Sequence, residues 1–191
     1  MSAAAQLLER YGEAKDLARS HLAPEIFASN VTLTYSIATD AIAFAARTEG
    51  IECVTRALIS DFALRFSRCR TYYVCDAPIE DAHGAAFVPW LVVMRETAAA
   101  CLRIGKGYYR WDLTPADQGI ARASALHIHI ERMDPIPDAD GRLLEAVQSV
   151  LPYPWLLPGT LRRAFEQFMQ QSSAFSFLRD FTAPVAAPVE P

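Results

Sequence analysis

Three side chains able to move protons or hold metal ions recur two residues apart near the middle of the chain: His127, His129 and Glu131. On a β-strand that spacing sends all three out of one face, with neighbours ~6.5–7 Å apart. Imidazoles titrate near neutral pH, so a partly covered pair suits general acid/base work. Two imidazoles can also bind one divalent ion if other strands bring further ligands, and His83 or Asp112 could supply them. The alternative is that Leu126, Ile128 and Ile130 take the core and the histidines face solvent or a subunit contact. Ala121, Ala123 and Ala125 share the histidine face, and a face so poor in charge reads as covered by something.

Aromatic residues make a second candidate group. Trp90, Tyr109 and Trp111 can wall a pocket for a flat, apolar ligand, or can pack in an ordinary core. Arg68, Arg70, Arg95, Arg103 and Arg110 gather around the strands, where they can be solvated or can meet a carboxylate ligand. Gly105-Lys106-Gly107 lies within a strand with no helix after it, so it is not a phosphate loop. No GxSxG segment occurs.

The elements that must position these groups follow from periodicity. Ser2 can cap a helix in which Leu7, Leu8, Tyr11, Ala14, Leu17 and Leu22 recur at helical spacing until Pro24. Phe27 to Ile37 alternates as a half-buried strand, with Val31, Leu33 and Tyr35 on one side and Thr32, Thr34 and Ser36 on the other. From Thr48, Ile51, Val54, Leu58, Phe62 and Phe66 mark one stripe of a second helix that finishes near Arg68. Strand composition returns from Cys69 to Cys75 and from Phe87 to Thr97, where Pro89 suits an edge. Cys101 to Leu113 and Ile120 to Met133 then read as a long hairpin at the centre of a curved sheet. Leu143, Leu144, Val147 and Val150, and later Leu161, Phe165, Phe168 and Met169, predict two more helices. The segment from Thr182 to Pro191 reads as a disordered tail.

At 191 residues, 52% hydrophobic and 21% charged, the chain suits one domain with a sizeable core. A net charge of -4 gives no electrostatic reason to expect nucleic acid. Charged residues in the first twenty positions exclude a signal peptide there, and no apolar run reaches the ~18 residues of a spanning helix. Cys53, Cys69, Cys75 and Cys101 form no CxxC pair and read as reduced, core-like thiols, which places the protein in the cytoplasm. Arginine far outnumbers lysine, a bias typical of GC-rich bacterial genes.

The order helix, strand, helix, strand, strand, long hairpin resembles the nuclear transport factor 2-like superfamily, in particular its SnoaL-like branch. The residues that carry the resemblance are Phe27-Ala-Ser-Asn-Val-Thr-Leu, Glu49-Gly-Ile-Glu-Cys-Val, Gly107-Tyr-Tyr-Arg-Trp and Gly119-Ile-Ala-Arg-Ala. The resemblance implies an α+β cone at residues 1–135, a strongly bent antiparallel sheet wrapped around the N-terminal helix. A helical extension at 136–181 would pack on the domain or a partner, ahead of the tail at 182–191. It also implies that Tyr35 and Asp40 lie near a pocket mouth as proton donor and carboxylate base, although an Asp beside Thr39 also suits a turn. The HxH spacing is similar to that of cupins, but the long helices do not suit that barrel, so no metal is expected.

Two functions follow. The first is a lyase, isomerase or cyclase working without cofactor on an apolar, cyclic substrate, with His127, His129, Tyr35 and Asp40 catalytic and Trp90, Tyr109 and Trp111 binding. The second is a noncatalytic ligand-binding or dimerisation module. A homodimer through the outer sheet face is expected, because a sheet apolar or small on both faces leaves one to be covered. The enzyme needs at least one of His127, His129, Asp40 or Tyr35 to open into an enclosed cavity, whereas a binding module would have an apolar pocket with its titratable groups turned outward. The most informative observation is which parity of the last strand faces the cavity.

Overall fold

The computed structural model describes residues 2–80, 84–114 and 121–186. Helix α1 (Ala3–Asp16) starts where Ser2 Oγ accepts from the Ala5 amide at 3.2 Å. Its stripe of Ala4, Leu7, Leu8, Tyr11 and Ala14 is buried. A short α2 (Ala23–Ile26), begun by Pro24, runs straight into β1 (Phe27–Ile37). Val31 and Leu33 of β1 point into the core, as the alternation requires.

After a loop at 38–46, β2 (Arg47–Glu49) pairs with β1, a strand that the helical stripe starting at Thr48 concealed. The second helix is really three pieces, α3 (Ile51–Thr55), a wider π-type turn (Arg56–Ser60) and α4 (Asp61–Arg65). Then come β3 (Phe66–Tyr73), β4 (Ile79–Glu80), β5 (Ala85–Glu96), β6 (Cys101–Leu113) and β7 (Ala123–Pro137). The hairpin of β6 and β7 is the centre of the sheet, whose order is β2-β1-β7-β6-β5-β3, with β4 also on β5.

The expected all-antiparallel sheet is in fact mixed, because β1 runs parallel to β7. These two strands are joined only through the rest of the sheet, so no hairpin dictates their direction. Pro89 is not on an edge strand either, since β5 lies between β6 and β3. It falls between Trp90, where pairing with β3 ends, and Phe87, where pairing with β4 begins, and its carbonyl accepts from Val74. An interior strand therefore tolerates it at a gap in the neighbouring ladder.

Bending comes from bulges. Lys106 pairs with Arg132 but Gly107 pairs with Ile130, so Glu131 is an extra residue in β7. Gly105 and Gly107 sit on the inner face beside it. A side chain at Gly107 would place Cβ 1.9 Å from the His129 carbonyl and 2.6 Å from Trp90 Cζ2, so only glycine lets the strands and the indole close up.

The sheet is apolar on both faces. The concave face packs on α1 through Leu8, Tyr11, Leu33, Val92, Tyr109 and Ile128, among others. On the convex face, Tyr72, Val74, Leu91, Val93, Leu102 and Ile104 are covered by α5 (Arg142–Val150), α6 (Pro158–Gln171) and a 3-10 segment (Ser173–Phe181). Asp138 fixes the start of α5, accepting from the amides of Leu143 and Leu144 at 3.0 Å each. Over β3, β5 and part of β6, the outer face that suggested a second subunit is thus covered by the chain itself. Val185, within the segment expected to be a disordered tail, is buried, and residues 187–191 lie outside the described residues.

Candidate functional site

Between α1 and the concave face lies a cavity of about 50 Å³. Its wall is formed by Tyr11 and Lys15 of α1, Tyr35 of β1, Trp90, Val92 and Met94 of β5, Tyr109 of β6, and Ile128, Ile130 and Met133 of β7. Ile42 and Phe44, from the loop after β1, close one side, with the Phe44 ring stacked 4.8 Å from Tyr35. The Tyr35, Tyr11 and Tyr109 phenols are all held well above the ordinary range, chiefly by burial, so they are neutral donors at physiological pH.

At the end of α1, next to this cavity, lies a buried polar cluster. Lys15 Nζ donates to Asp16 Oδ1 at 3.3 Å, Cys69 Sγ at 3.3 Å and Thr71 Oγ1 at 2.9 Å, and stands 4.4 Å from the Phe62 ring centre. That employs the three protons of an ammonium. Asp16 Oδ2 accepts from the Thr71 amide at 2.6 Å and the Tyr153 hydroxyl at 3.0 Å, while Oδ1 accepts from Thr71 Oγ1 at 2.9 Å as well as from Lys15. The carboxylate is therefore saturated.

Burial works against the Lys15 charge, yet the ionised forms of Cys69 and Asp16 outweigh it and hold the amine above the usual lysine range. The Cys69 thiol is pushed up to about 12 by burial first and by Asp16 second. At neutral pH the thiol is uncharged, so Asp16 is what keeps Lys15 protonated. The sequence reading missed Lys15 and Asp16. A signal existed, since Leu8, Tyr11 and Lys15 fall on one helical stripe in a chain where lysine is scarce.

The expected site residues divide. Tyr35, Trp90 and Tyr109 line the cavity, and Trp111 lies beside it in the core, its ring 4.9 Å from Tyr11. Asp40 is exposed, in the loop beyond β1, and is not in the cavity wall. His127 and His129 also lie outside it, because Leu126, Ile128 and Ile130 take the inward positions of β7. The expectation that the histidine face lines the pocket is thereby corrected. Burying the branched aliphatic face is worth more than burying imidazoles, and period two then sends the histidines outward.

On the outer face the histidines form their own network with β1. Thr34 Oγ1 lies 2.9 Å from His127 Nδ1, and Ser36 Oγ lies 2.9 Å from His127 Nε2 and 2.8 Å from His129 Nδ1. Tyr108 stacks on His129 at 4.7 Å. Glu131, offered as a partner for them, instead meets Lys106 at 3.2 Å. Among the described residues no cluster of three or more metal-ligating side chains occurs, and His83 lies outside those residues.

No protein-family model matches the sequence, and no curated protein matches it. Solved structures do match. A nuclear transport factor 2-like superfamily protein from Salmonella enterica aligns over 64% of this chain and 84% of its own, with a TM-score of 0.54 and 14% identity. The chain has the nuclear transport factor 2-like fold. Within that fold it is also similar to hexachlorocyclohexane dehydrochlorinase LinA-type3 from Novosphingobium barchaimii, at TM-score 0.58 and 12% identity over 70% of this chain and 88% of that one. A scytalone dehydratase-like protein from Novosphingobium aromaticivorans matches at TM-score 0.55 and 14% identity, over 71% and 87%. Proteins named as enzymes thus occur among the structures that share this fold. At these identities the likeness is one of fold, and the chemistry must be argued from the cavity.

Proposed function

We propose that the protein binds a small, largely apolar molecule in the cavity between α1 and the sheet, without transforming it. One observation carries this reading: among the described residues every titratable group lining the cavity is either a neutral phenol or an ion already saturated by protein partners. Among the described residues no unengaged base faces the space, and His127 and His129, which could have served, point the other way. At about 50 Å³ the space is smaller than a typical ligand pocket of ~300–1,000 Å³, so a ring-sized ligand displaces the Ile42 and Phe44 side chains on entry. Titration of the protein with flat apolar compounds, followed by tryptophan fluorescence and calorimetry, tests this. Saturable binding that Phe44→Trp weakens supports it, and the absence of any binding across such a set sinks it.

A second reading, a cofactor-free lyase, isomerase or cyclase, is favoured by the Tyr35 phenol standing in the same wall as the Lys15 ammonium. Tyr35 would give a proton to an apolar, cyclic substrate, and Asp16 would have to leave Thr71 and Tyr153 to act as base. If this holds, Tyr35→Phe lowers turnover of a discovered substrate by about 10²–10⁴ fold with the fold unchanged. A substrate turned over equally well by Tyr35→Phe and Asp16→Asn would exclude it.

We also propose self-association through the part of the outer face that the C-terminal helices leave open, around Ser36, Tyr108, His127 and His129. All four cysteines are free thiols, which suits a reducing compartment such as the cytoplasm. Among the described residues no helix is long and apolar enough to cross a membrane.

A further inference from the structure

The residues around the cavity are held in two different ways. Tyr11 and Lys15 sit in the hydrogen-bonded frame of α1, and Trp90, Tyr109 and Ile128 sit in the ladders that join β5, β6 and β7, so none of them moves without disturbing several backbone bonds together. Ile42 and Phe44 belong to the loop between β1 and β2 and have no such frame. The Ala38 amide donates to the Ile130 carbonyl at 2.9 Å, and the Tyr35 amide donates to the Ala46 carbonyl at 3.2 Å, which pins both ends of the loop to neighbouring strands. Between these pins, among the described residues, residues 39–45 make two hydrogen bonds. One is internal, from the Ala41 amide to Thr39 Oγ1 at 3.3 Å, and the other comes from Arg103 Nη1 to the Ala41 carbonyl at 3.4 Å. The rest is side-chain packing, with Ile42 8% exposed and the Phe44 ring stacked on Tyr35.

Arg103 does not line the cavity, but it stands beside this loop. Gly107 and Gly105 lie on the inner face of β6, and period two puts Arg103 on the same face one step further along. Its register partner on β5, Met94, is part of the cavity wall. Arg103 Nε donates to Glu96 Oε2 at 2.7 Å, with the two side chains 15% and 16% exposed, so the guanidinium is anchored to the sheet independently of the loop. Its fork lets one nitrogen hold the carboxylate while another reaches a carbonyl. The bond given to Ala41 is long and therefore weak, and breaking it alone releases the loop between its two pins.

Building on the reading of this cavity as a ligand site, we infer that the loop at 38–46 is its gate, swinging between Ala38 and Ala46, and that Arg103 is the latch, a positioning residue that holds the gate shut through the Ala41 carbonyl. The closed space of about 50 Å³ is far below the volume of a typical ligand pocket, so entry needs a moving part, and this loop is the part with the fewest bonds to break.

The test follows two thiols in the intact protein. Ile42→Cys places one on the inner side of the gate, and native Cys69, 7% exposed at the end of α1, reports general loosening. Alkylation of each by iodoacetamide is read by peptide mass spectrometry. Adding Arg103→Gln should speed labelling of the introduced thiol by about tenfold, the factor that one modest hydrogen bond supplies, and leave Cys69 as slow as before. Arg103→Lys, whose single ammonium has no fork to span Glu96 and the carbonyl together, should give a smaller rise. Without the reporter cysteine, Arg103→Gln should also speed entry of naphthalene, followed by tryptophan fluorescence in stopped flow. An equal rise at both thiols would mean general loosening, and no rise at either would leave the loop without a latch; each overturns the inference. Naphthalene that binds, but enters Arg103→Gln at the parental rate, overturns the gate and spares the ligand site. Selective labelling of the introduced thiol with no naphthalene binding upholds the gate and removes the ligand-site reading.

Discussion

Lys15 and Asp16 are neighbours on one helix, yet their side chains meet at 3.3 Å beneath the surface, 7% and 1% exposed. Consecutive helical residues do not normally face each other. They meet here because both lie at the end of α1, where Thr71 and Cys69 of β3 receive them.

Removing the cation from that pair should be costly. Lys15→Met leaves the Asp16 carboxylate buried without its counter-charge, and the expected loss is about 3–5 kcal/mol in urea unfolding. The double variant Lys15→Met with Asp16→Asn should recover part of it. A single-variant loss below about 1 kcal/mol would mean that the pair behaves like an exposed one.

Cys69 supplies a pH dependence. Burial raises its folded value from 9.0 to about 12, so above pH 9 the unfolded chain releases a proton that the native state still holds. Stability attributable to this group is complete below pH 9 and is lost as pH rises towards 12. Cys69→Ala should flatten that window in a series of denaturant midpoints. In native protein at pH 8, iodoacetamide should label exposed Cys53 and spare Cys69, and equal labelling would contradict the burial.

His127 has the opposite sign. Burial, and then His129 and Arg110, lower it from 6.5, so its contribution is present above pH 6.5 and is lost as pH falls through the lower folded value. His127→Asn should make stability less sensitive to pH in that acid range. Because the histidines lie outside the cavity, His127→Ala and His129→Ala should each change ligand affinity by no more than about twofold. A tenfold loss from either would place the imidazoles back at the site.

The inner-face glycines should rank by what they touch. Gly107→Ala drives Cβ towards a backbone carbonyl at 1.9 Å, whereas at Gly105 the nearest atom is the flexible Met133 Cε at 2.4 Å. The first should cost about 3 kcal/mol or more and the second about 1 kcal/mol, because the thioether can move aside. Equal costs in thermal unfolding would indicate that Met133 is as rigid as the strand.

Self-association through the open outer patch should give a light-scattering mass of two chains at micromolar concentration, reduced by Tyr108→Glu. A mass of one chain for the parent protein would remove the proposal.

Much of the architecture was legible in the chain itself. Period-two and period-3.6 patterns located α1, β1, the long hairpin and both C-terminal helices, because burial of one face is a local demand that each segment writes into its own residues. Trp90 and Tyr109 could be singled out as large aromatic residues able to wall a pocket, and Tyr35 through the resemblance to the nuclear transport factor 2-like superfamily. Periodicity says which residues share a face and is silent on where that face points. Only the packing of β7 between β1 and β6 against α1 turned Ile128 and Ile130 inward and His127 and His129 out. Equally, β2, the parallel pairing of β1 with β7, and the meeting of Lys15 with Cys69 and Thr71 join residues far apart in the chain, and such contacts leave no mark in any single segment.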